Sequence, residues 1–227
     1  AFNLSEEYRL PVLIMADETV GHMTEKVVIP PEDEIVIKNR KKPKVSPSKY
    51  LPYKPDADWI APMATWGDGY KIHITGLTHD HRGYPVMSDE IQAQMVERLV
   101  RKIKDNADKI IDFETMYMDD AEVAVVSYGI SSRAAKRAVT DSRAEGIKAG
   151  LVKLNTVWPF PESFFRDLAS RVKAMVMPEI NLGQMSLELE RCAAGQCLVK
   201  PVTHYGGSIH RPSNVLHAVE EVLKETK

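Results

Sequence analysis

The sequence is poor in cysteine. Of 227 residues only Cys192 and Cys197 carry a thiol, and they have no companion pair. A structural zinc site takes about four ligands and an iron–sulfur cluster about four thiolates, so the chain supplies neither from its own cysteines. Two thiols do not make a secreted disulfide framework either, and a buried or idle thiol is the expectation for each. Long apolar runs are missing too, since nothing approaches the roughly 20 residues of a membrane span. Neither sign of charge dominates: 30 basic residues stand against 32 acidic ones, for a formal net charge of -2. That balance gives no electrostatic reason to expect nucleic acid or an anionic membrane as the main partner. The opening, Ala1-Phe2-Asn3-Leu4-Ser5-Glu6-Glu7-Tyr8-Arg9, has neither an initiator methionine nor a signal-peptide pattern. The expectation is a cytoplasmic protein whose N-terminus is missing from this sequence. No Gly-x-Ser-x-Gly, His-Glu-x-x-His or Walker sequence occurs, so hydrolase, zincin and P-loop readings find no support.

What is present is an ordinary soluble composition, 44% hydrophobic and 27% charged, in a regular order. From Glu122 onward short apolar runs alternate with amphipathic segments. Val123 to Val126 reads as a strand ending at Ser127-Tyr128-Gly129, and Ser131-Ser132 opens a helix that Gly146 stops. Strands near Ile147 to Leu154 and Val172 to Met177 follow, with Glu162 to Ser170 helical between them; then come a helix over Gln184 to Ala194, a strand over Cys197 to Val202 and a helix over Pro212 to Lys224. Such alternation predicts an α/β fold, a doubly wound and mostly parallel sheet buried on both faces. Ligands of such sheets sit beyond the carboxyl ends of the strands, so the elbows Trp158-Pro159-Phe160-Pro161 and Pro178-Glu179-Ile180-Asn181-Leu182-Gly183-Gln184 belong to the working edge. The first, rigid and aromatic, suits a wedge against a neighbouring domain or subunit. The second offers Asn181 as a helix cap and a carboxylate at the edge.

Ahead of Glu122 the pattern is less regular. Ala1 to Arg9 reads as a helix and Leu10 to Ala16 as a strand, placing Glu18, Gly21 and His22 just past a strand end, as functional groups or as a simple turn. Seven of the fourteen prolines fall between Pro30 and Pro62, mixed with the basic run Lys38 to Lys44. Proline fixes φ and removes a donor, so this stretch reads as an extended connection. Tyr70 to Thr75 alternates like a strand and delivers the loop Gly76-Leu77-Thr78-His79-Asp80-His81-Arg82-Gly83-Tyr84-Pro85, the densest group of titratable side chains in the chain. His79 and His81 can ligate a metal on extended backbone, but no third ligand is identifiable. Ser88 to about Asp108 reads as a helix capped by Ser88, with an apolar stripe of Ile91, Met95, Leu99 and Ile103.

Two motifs invite a nucleotide or cofactor reading. Gly67-Asp68-Gly69 has no apolar strand before it and no asparagine pair about 25 to 30 residues on, so it is a turn rather than a diphosphate site. Tyr128-Gly129-Ile130-Ser131-Ser132 joins a strand to a helix, where free N–H groups can take an anion, yet it lacks the Gly-x-Gly-x-x-Gly spacing.

Four blocks, LPVLIMADETVGHMTEKV, GLTHDHRGYP, VKLNTVWPFPE and PEINLGQM, together resemble the α subunit of 2-oxoacid:ferredoxin oxidoreductases, most of all the 2-oxoglutarate type. The resemblance covers nearly the whole chain. It implies that residues 1–28 end a thiamine pyrophosphate (pyrimidine)-binding domain, 29–69 form a Pro-rich linker, and 70–227 form a domain like the C-terminal domain of transketolase. The implied reaction is oxidative decarboxylation of a 2-oxoacid to acyl-CoA with electrons passed to ferredoxin. Thiamine pyrophosphate and Mg would be held with a β subunit, iron–sulfur clusters would lie in partner subunits, γ and δ subunits would complete the assembly, and CoA would be cosubstrate. The glutamate that activates the cofactor in related thiamine enzymes would lie upstream of Ala1. His79, Asp80 and His81 are the expected catalytic, substrate-side or interface groups, with Glu18 and His22 at the cofactor-binding junction. A docking module without chemistry, or the transketolase-like domain of a 2-oxoacid dehydrogenase β subunit, are the alternatives.

Overall fold

The computed structural model describes residues 1–226. In chain order the helices and strands are α1 (Phe2–Tyr8), α2 (Glu18–His22), α3 (Asp89–Lys104), α4 (Ala107–Ile110), β1 (Phe113–Met116), β2 (Val123–Tyr128), α5 (Ser131–Ala144), β3 (Ala149–Leu154), α6 (Glu162–Ala169), β4 (Ala174–Glu179), α7 (Ser186–Ala193), β5 (Leu198–Thr203) and α8 (Pro212–Glu225). The chain forms two compact units, one of residues 1–15 and 24–110, the other of residues 16–23 and 111–227.

The second unit holds a five-stranded sheet in the order β1-β3-β2-β4-β5. Strands β2 to β5 run parallel and β1 pairs antiparallel with β3 at the edge. The central strands are apolar on both sides, as two covered faces require. Ala124, Val126, Val152, Leu154, Met175 and Met177 turn toward one core with Phe165, Leu168 and Leu189 of α6 and α7. Their alternates Val123, Val125, Leu151 and Val176 meet Ala135, Val139, Val215 and Val219 of α5 and α8. The predicted doubly wound sheet is thus present, with α5 and α8 packed together against one face and α6 and α7 against the other. The strand β1, unexpected from sequence, is half-exposed and only four residues long, too short and polar to register as an apolar run.

The first unit has no strand among its described residues. Leu10 to Ala16 is not a strand: it makes no ladder, and Leu13, Ile14 and Met15 are 85%, 76% and 83% exposed. An apolar run becomes a strand only where a neighbour satisfies its backbone groups. Tyr70 to Thr75 likewise forms no ladder. There side chains replace strand pairing, with His73 Nδ1 at 2.6 Å from Gly83 O and Tyr70 Oη donating to Val45 O at 3.0 Å. A small core of Tyr8, Ile60 and Ile110 is supplemented by side-chain bonds to the proline-rich backbone. Arg9 Nη1 donates to the carbonyls of Pro52, Ala61 and Pro62 at 2.5, 3.3 and 3.4 Å, and Tyr50 Oη donates to Pro62 O at 3.0 Å while accepting from Ala64 N at 3.0 Å. Val27, Val28, Ile29, Val36 and Ile37 are largely exposed.

On α3, Ser88 caps as expected, accepting from Ile91 N at 3.4 Å. The packed stripe differs from expectation: the buried residues of the helix are Arg98 and Lys102, while Leu99 is 45% exposed.

Candidate functional site

The parallel strands of the second unit reverse order between β2 and β4, and the crevice at that switch point is where open α/β sheets place their polar chemistry. Both elbows there are built around carboxylates. Glu179, the last residue of β4, is 1% exposed. Its Oε1 accepts from Ser186 N at 2.8 Å and its Oε2 from Met185 N at 2.9 Å, so this side chain holds the first amides of α7. Oε2 also accepts from Tyr128 Oη at 2.9 Å and from Asn181 Nδ2 at 3.1 Å. Burial and the Glu179 charge together push the Tyr128 phenol well above its usual range, so it stays a neutral donor. Asn181, expected to cap α7, instead closes the preceding loop, accepting from Gly183 N at 2.7 Å and Gln184 N at 3.0 Å. Glu179 takes the capping role because two amides at the positive helix end favour a full carboxylate over an amide oxygen.

The turn from β2 into α5, a possible anion site by sequence, is filled from within. Asp17 Oδ2 accepts from Ile130 N at 2.7 Å. Gly129 has φ 56°, and a Cβ there would collide with the Asp17 carboxylate. Ser131 and Ser132 are buried, Ser132 paired with Ser127 at 3.1 Å and Ser131 with His210 Nδ1 at 3.4 Å. The other ring nitrogen of His210 donates to Val202 O at 2.8 Å, and burial lowers the imidazole's pKa. Beside it, at the carboxyl end of β5, Thr203, His204, Ser208, Arg211 and Asn214 line an open cleft of about 320 Å³. Asp17 was not singled out from sequence. The signal was there, an acid directly after an apolar run, but its target lies more than a hundred residues away.

Of the expected site residues, the structure brings together His79, Asp80 and His81. All three line a small cleft in the first unit with Tyr53, Gln94 and Arg98. Asp80 organises the loop: it accepts from Arg82 N at 2.8 Å, pairs with the Arg82 guanidinium at 2.6 Å, and is held below the usual carboxylate range chiefly by that hydrogen bond. The turn is closed by Gly83, φ 89°, where a Cβ would strike His73 O. His79 lies on the Tyr53 ring at 4.2 Å between centroids and places Nδ1 2.9 Å from Leu77 O. Desolvation, then the positive charges of Arg98 and Lys54, push the His81 pKa down, so its ring is neutral near pH 7. Glu18 and His22 belong to the other unit. They face each other along α2 at 3.8 Å, with side chains 90% and 80% exposed.

The turn Gly67-Asp68-Gly69 is a local structure, with Asp68 Oδ2 accepting from Thr65 N at 3.0 Å and Asp68 N donating to Thr65 O at 3.1 Å. Trp158 of the aromatic elbow is 71% exposed, while Phe160 is buried and stacks on Phe165.

Two family models match the chain in succession. Residues 1–98 match the thiamine diphosphate-binding model of pyruvate flavodoxin/ferredoxin oxidoreductases, and residues 121–215 match core domain II of pyruvate:ferredoxin oxidoreductase. Among curated proteins, 2-oxoglutarate synthase subunit KorA of Methanothermobacter marburgensis is 46% identical over 220 residues, which are 96% of this chain and 58% of that protein. The subunit of the same name from Methanocaldococcus jannaschii is 47% identical over 219 residues, again 96% of this chain and 58% of that one. The chain belongs to the 2-oxoacid:ferredoxin oxidoreductase family. The likeness extends to structure: a 2-oxoglutarate:ferredoxin oxidoreductase from Magnetococcus marinus, solved with 2-oxoglutarate, coenzyme A and succinyl-CoA bound, matches 97% of this chain and 39% of its own with a TM-score of 0.89 at 26% identity. The chain thus spans little more than half the length of these curated relatives.

The residues present do not by themselves fit a thiamine diphosphate–metal site of this oxidoreductase family. The single Gly-Asp-Gly has its carboxylate committed to Thr65 N and lies 3.5 Å from Lys42 Nζ. No group of three His, Cys, Asp or Glu side chains is disposed to hold a metal ion among the described residues. Burial raises the thiol pKa of both Cys192 and Cys197, which disfavours the thiolate a cluster needs. No helix among the described residues is long and apolar enough to cross a membrane.

Proposed function

We propose that this chain is the C-terminal part of the α subunit of a 2-oxoacid:ferredoxin oxidoreductase, with 2-oxoglutarate as its acid. The complex would decarboxylate the acid oxidatively, transfer the acyl group to CoA and pass the electrons to ferredoxin. On this reading a β subunit holds thiamine pyrophosphate and Mg, partner subunits, γ and δ among them, hold iron–sulfur clusters, and the assembly works in the cytoplasm. Residues 1–28 end the pyrimidine-binding domain, 29–69 connect, and the sheet of the second unit is the transketolase-like part of residues 70–227. The observation that carries the reading is the identity of 46% with a 2-oxoglutarate synthase subunit over 96% of this chain.

The residues proposed to act are His79, Asp80 and His81, held in one cleft by the Asp80–Arg82 turn, with Glu18 and His22 at the cofactor-binding junction. In the complete reconstituted complex, His79→Ala with His81→Ala should lower 2-oxoglutarate-dependent viologen reduction more than about tenfold, the scale of a lost general acid or base. Unchanged turnover would remove these residues from the site. The second reading, a docking module, is favoured by one observation, the bare Trp158 ring on a rigid elbow. Exposed aromatics anchor interfaces. If docking is its role, Trp158→Ala lowers the yield of assembled complex while turnover per complex holds.

A further inference from the structure

The first unit buries positive charge without matching it. Arg98 and Lys102, one turn apart on α3, are 9% and 5% exposed. Lys102 Nζ donates to Arg9 O at 3.0 Å, and Arg9 itself is spent on three carbonyls. Carbonyl dipoles satisfy hydrogen bonds but leave the net charge in place. No carboxylate pairs with Arg9, Arg98 or Lys102 among the described residues; tyrosines alone favour the charged forms of Arg9 and Arg98, Arg9 disfavours that of Arg98, and both disfavour that of Lys102. Buried cations in folded proteins are paired or bind an anion.

Arg98 is the least satisfied of the three. Its guanidinium sits 5.6 Å from the centroid of Tyr53 and forms no hydrogen bond to a protein acceptor among the described residues. It lines the cleft shared with His79, His81 and Asp80, a space of about 10 Å³, the size of one small occupant. On the same wall His79 Nε2 is buried without a partner. Asp80 also faces this space, but its charge is matched by Arg82 at 2.6 Å. Lys54 adds further positive potential, enough to disfavour the charged form of His81.

We propose that the cleft bounded by Tyr53, His79, His81 and Arg98 is an anion site for a single carboxylate group or a halide of similar size, held by the Arg98 guanidinium. His79 lines the same cleft with Nδ1 committed to Leu77 O, so Nε2 is the ring atom left without a protein partner beside the bound group. The shared chemistry is one small monovalent anionic group, either a free ion or the end of an organic acid.

The test uses crystals of the complete subunit in its complex, soaked in bromide and measured at the bromine edge. The expected result is an anomalous peak within hydrogen-bond reach of Arg98, lost in Arg98→Gln. Two further soaks at equal ionic strength identify the natural source. Displacement of bromide by 2-oxoglutarate but not by acetate assigns the site to an acid's carboxylate; retention against both assigns it to a free halide. Absence of a bromide peak in the wild-type crystals, or a side-chain carboxylate from elsewhere in the complex seated on Arg98, overturns the proposal, and neither outcome depends on how the variant folds.

Discussion

The two units solve the same problem with different means. The second buries its backbone polar groups in a ladder and covers both sheet faces with apolar helices, so its stabilising contacts are of one kind, repeated between strands and helices distant in sequence. The first has a handful of core side chains and no ladder among its described residues, and its proline-rich backbone is held by long polar side chains from elsewhere: Arg9 on three carbonyls, Lys102 on Arg9 O, Asn106 Nδ2 on Asp58 O at 3.1 Å. Proline removes donors and leaves acceptors, and the excess of free carbonyls selects arginine, lysine and amide donors to serve them. The difference teaches that a chain can buy order from side-chain donors where it cannot form a sheet, and that the cost is buried charge.

This contrast can be broken most forcefully in the sheet unit. Phe165→Ala, at a residue fully buried between Phe160 and Phe164, should cost the second unit about 3–5 kcal/mol. Chemical denaturation followed by amide exchange in β2 and β4 would register it there, with α3 amides little changed.

The first unit is sharpened by pH. Burial, then the charges of Arg98 and Arg9, lower the Lys102 pKa to about 8, against about 10.4 in an unfolded chain. Between these values the unfolded state binds more protons, so stability should rise with pH across about 8 to 10.4, by up to about 3 kcal/mol. Lys102→Met should remove that rise, as read from exchange of α3 amides at a series of pH values. A rise that survives the substitution would assign it to another group.

The smallest expected effect lies in the crevice. Glu179→Gln replaces one carboxylate oxygen by an amide group that faces donors, with Met185 N, Tyr128 Oη and Asn181 Nδ2 all directed at Oε2. A loss of roughly 1–3 kcal/mol follows from a buried donor left unsatisfied, and thermal unfolding at pH 7 measures it.

The same contrast decides what the sequence disclosed. Strands β2 to β5 and helices α5 to α8 were legible to within a few residues, because two-sided burial writes itself as unbroken runs such as Val123 to Val126. Leu10 to Ala16 and Tyr70 to Thr75 misled, since a run or an alternation shows β propensity but not the partner a strand needs. On α3 the helical period was legible while its buried face was not. Arg98 and Lys102 point inward only because of carbonyls and rings contributed by Arg9 and Tyr53, which no local pattern encodes. The histidine loop stood out by its density of titratable groups, and its three side chains line one cleft. Asp17 did not, because its role is defined by Ile130.

The bare aliphatic side chains of Val27, Val28, Ile29, Val36 and Ile37 in the first unit have a practical corollary. Exposed apolar side chains gathered in one segment adhere to other apolar surface, so concentrated solutions of this chain should associate through these residues.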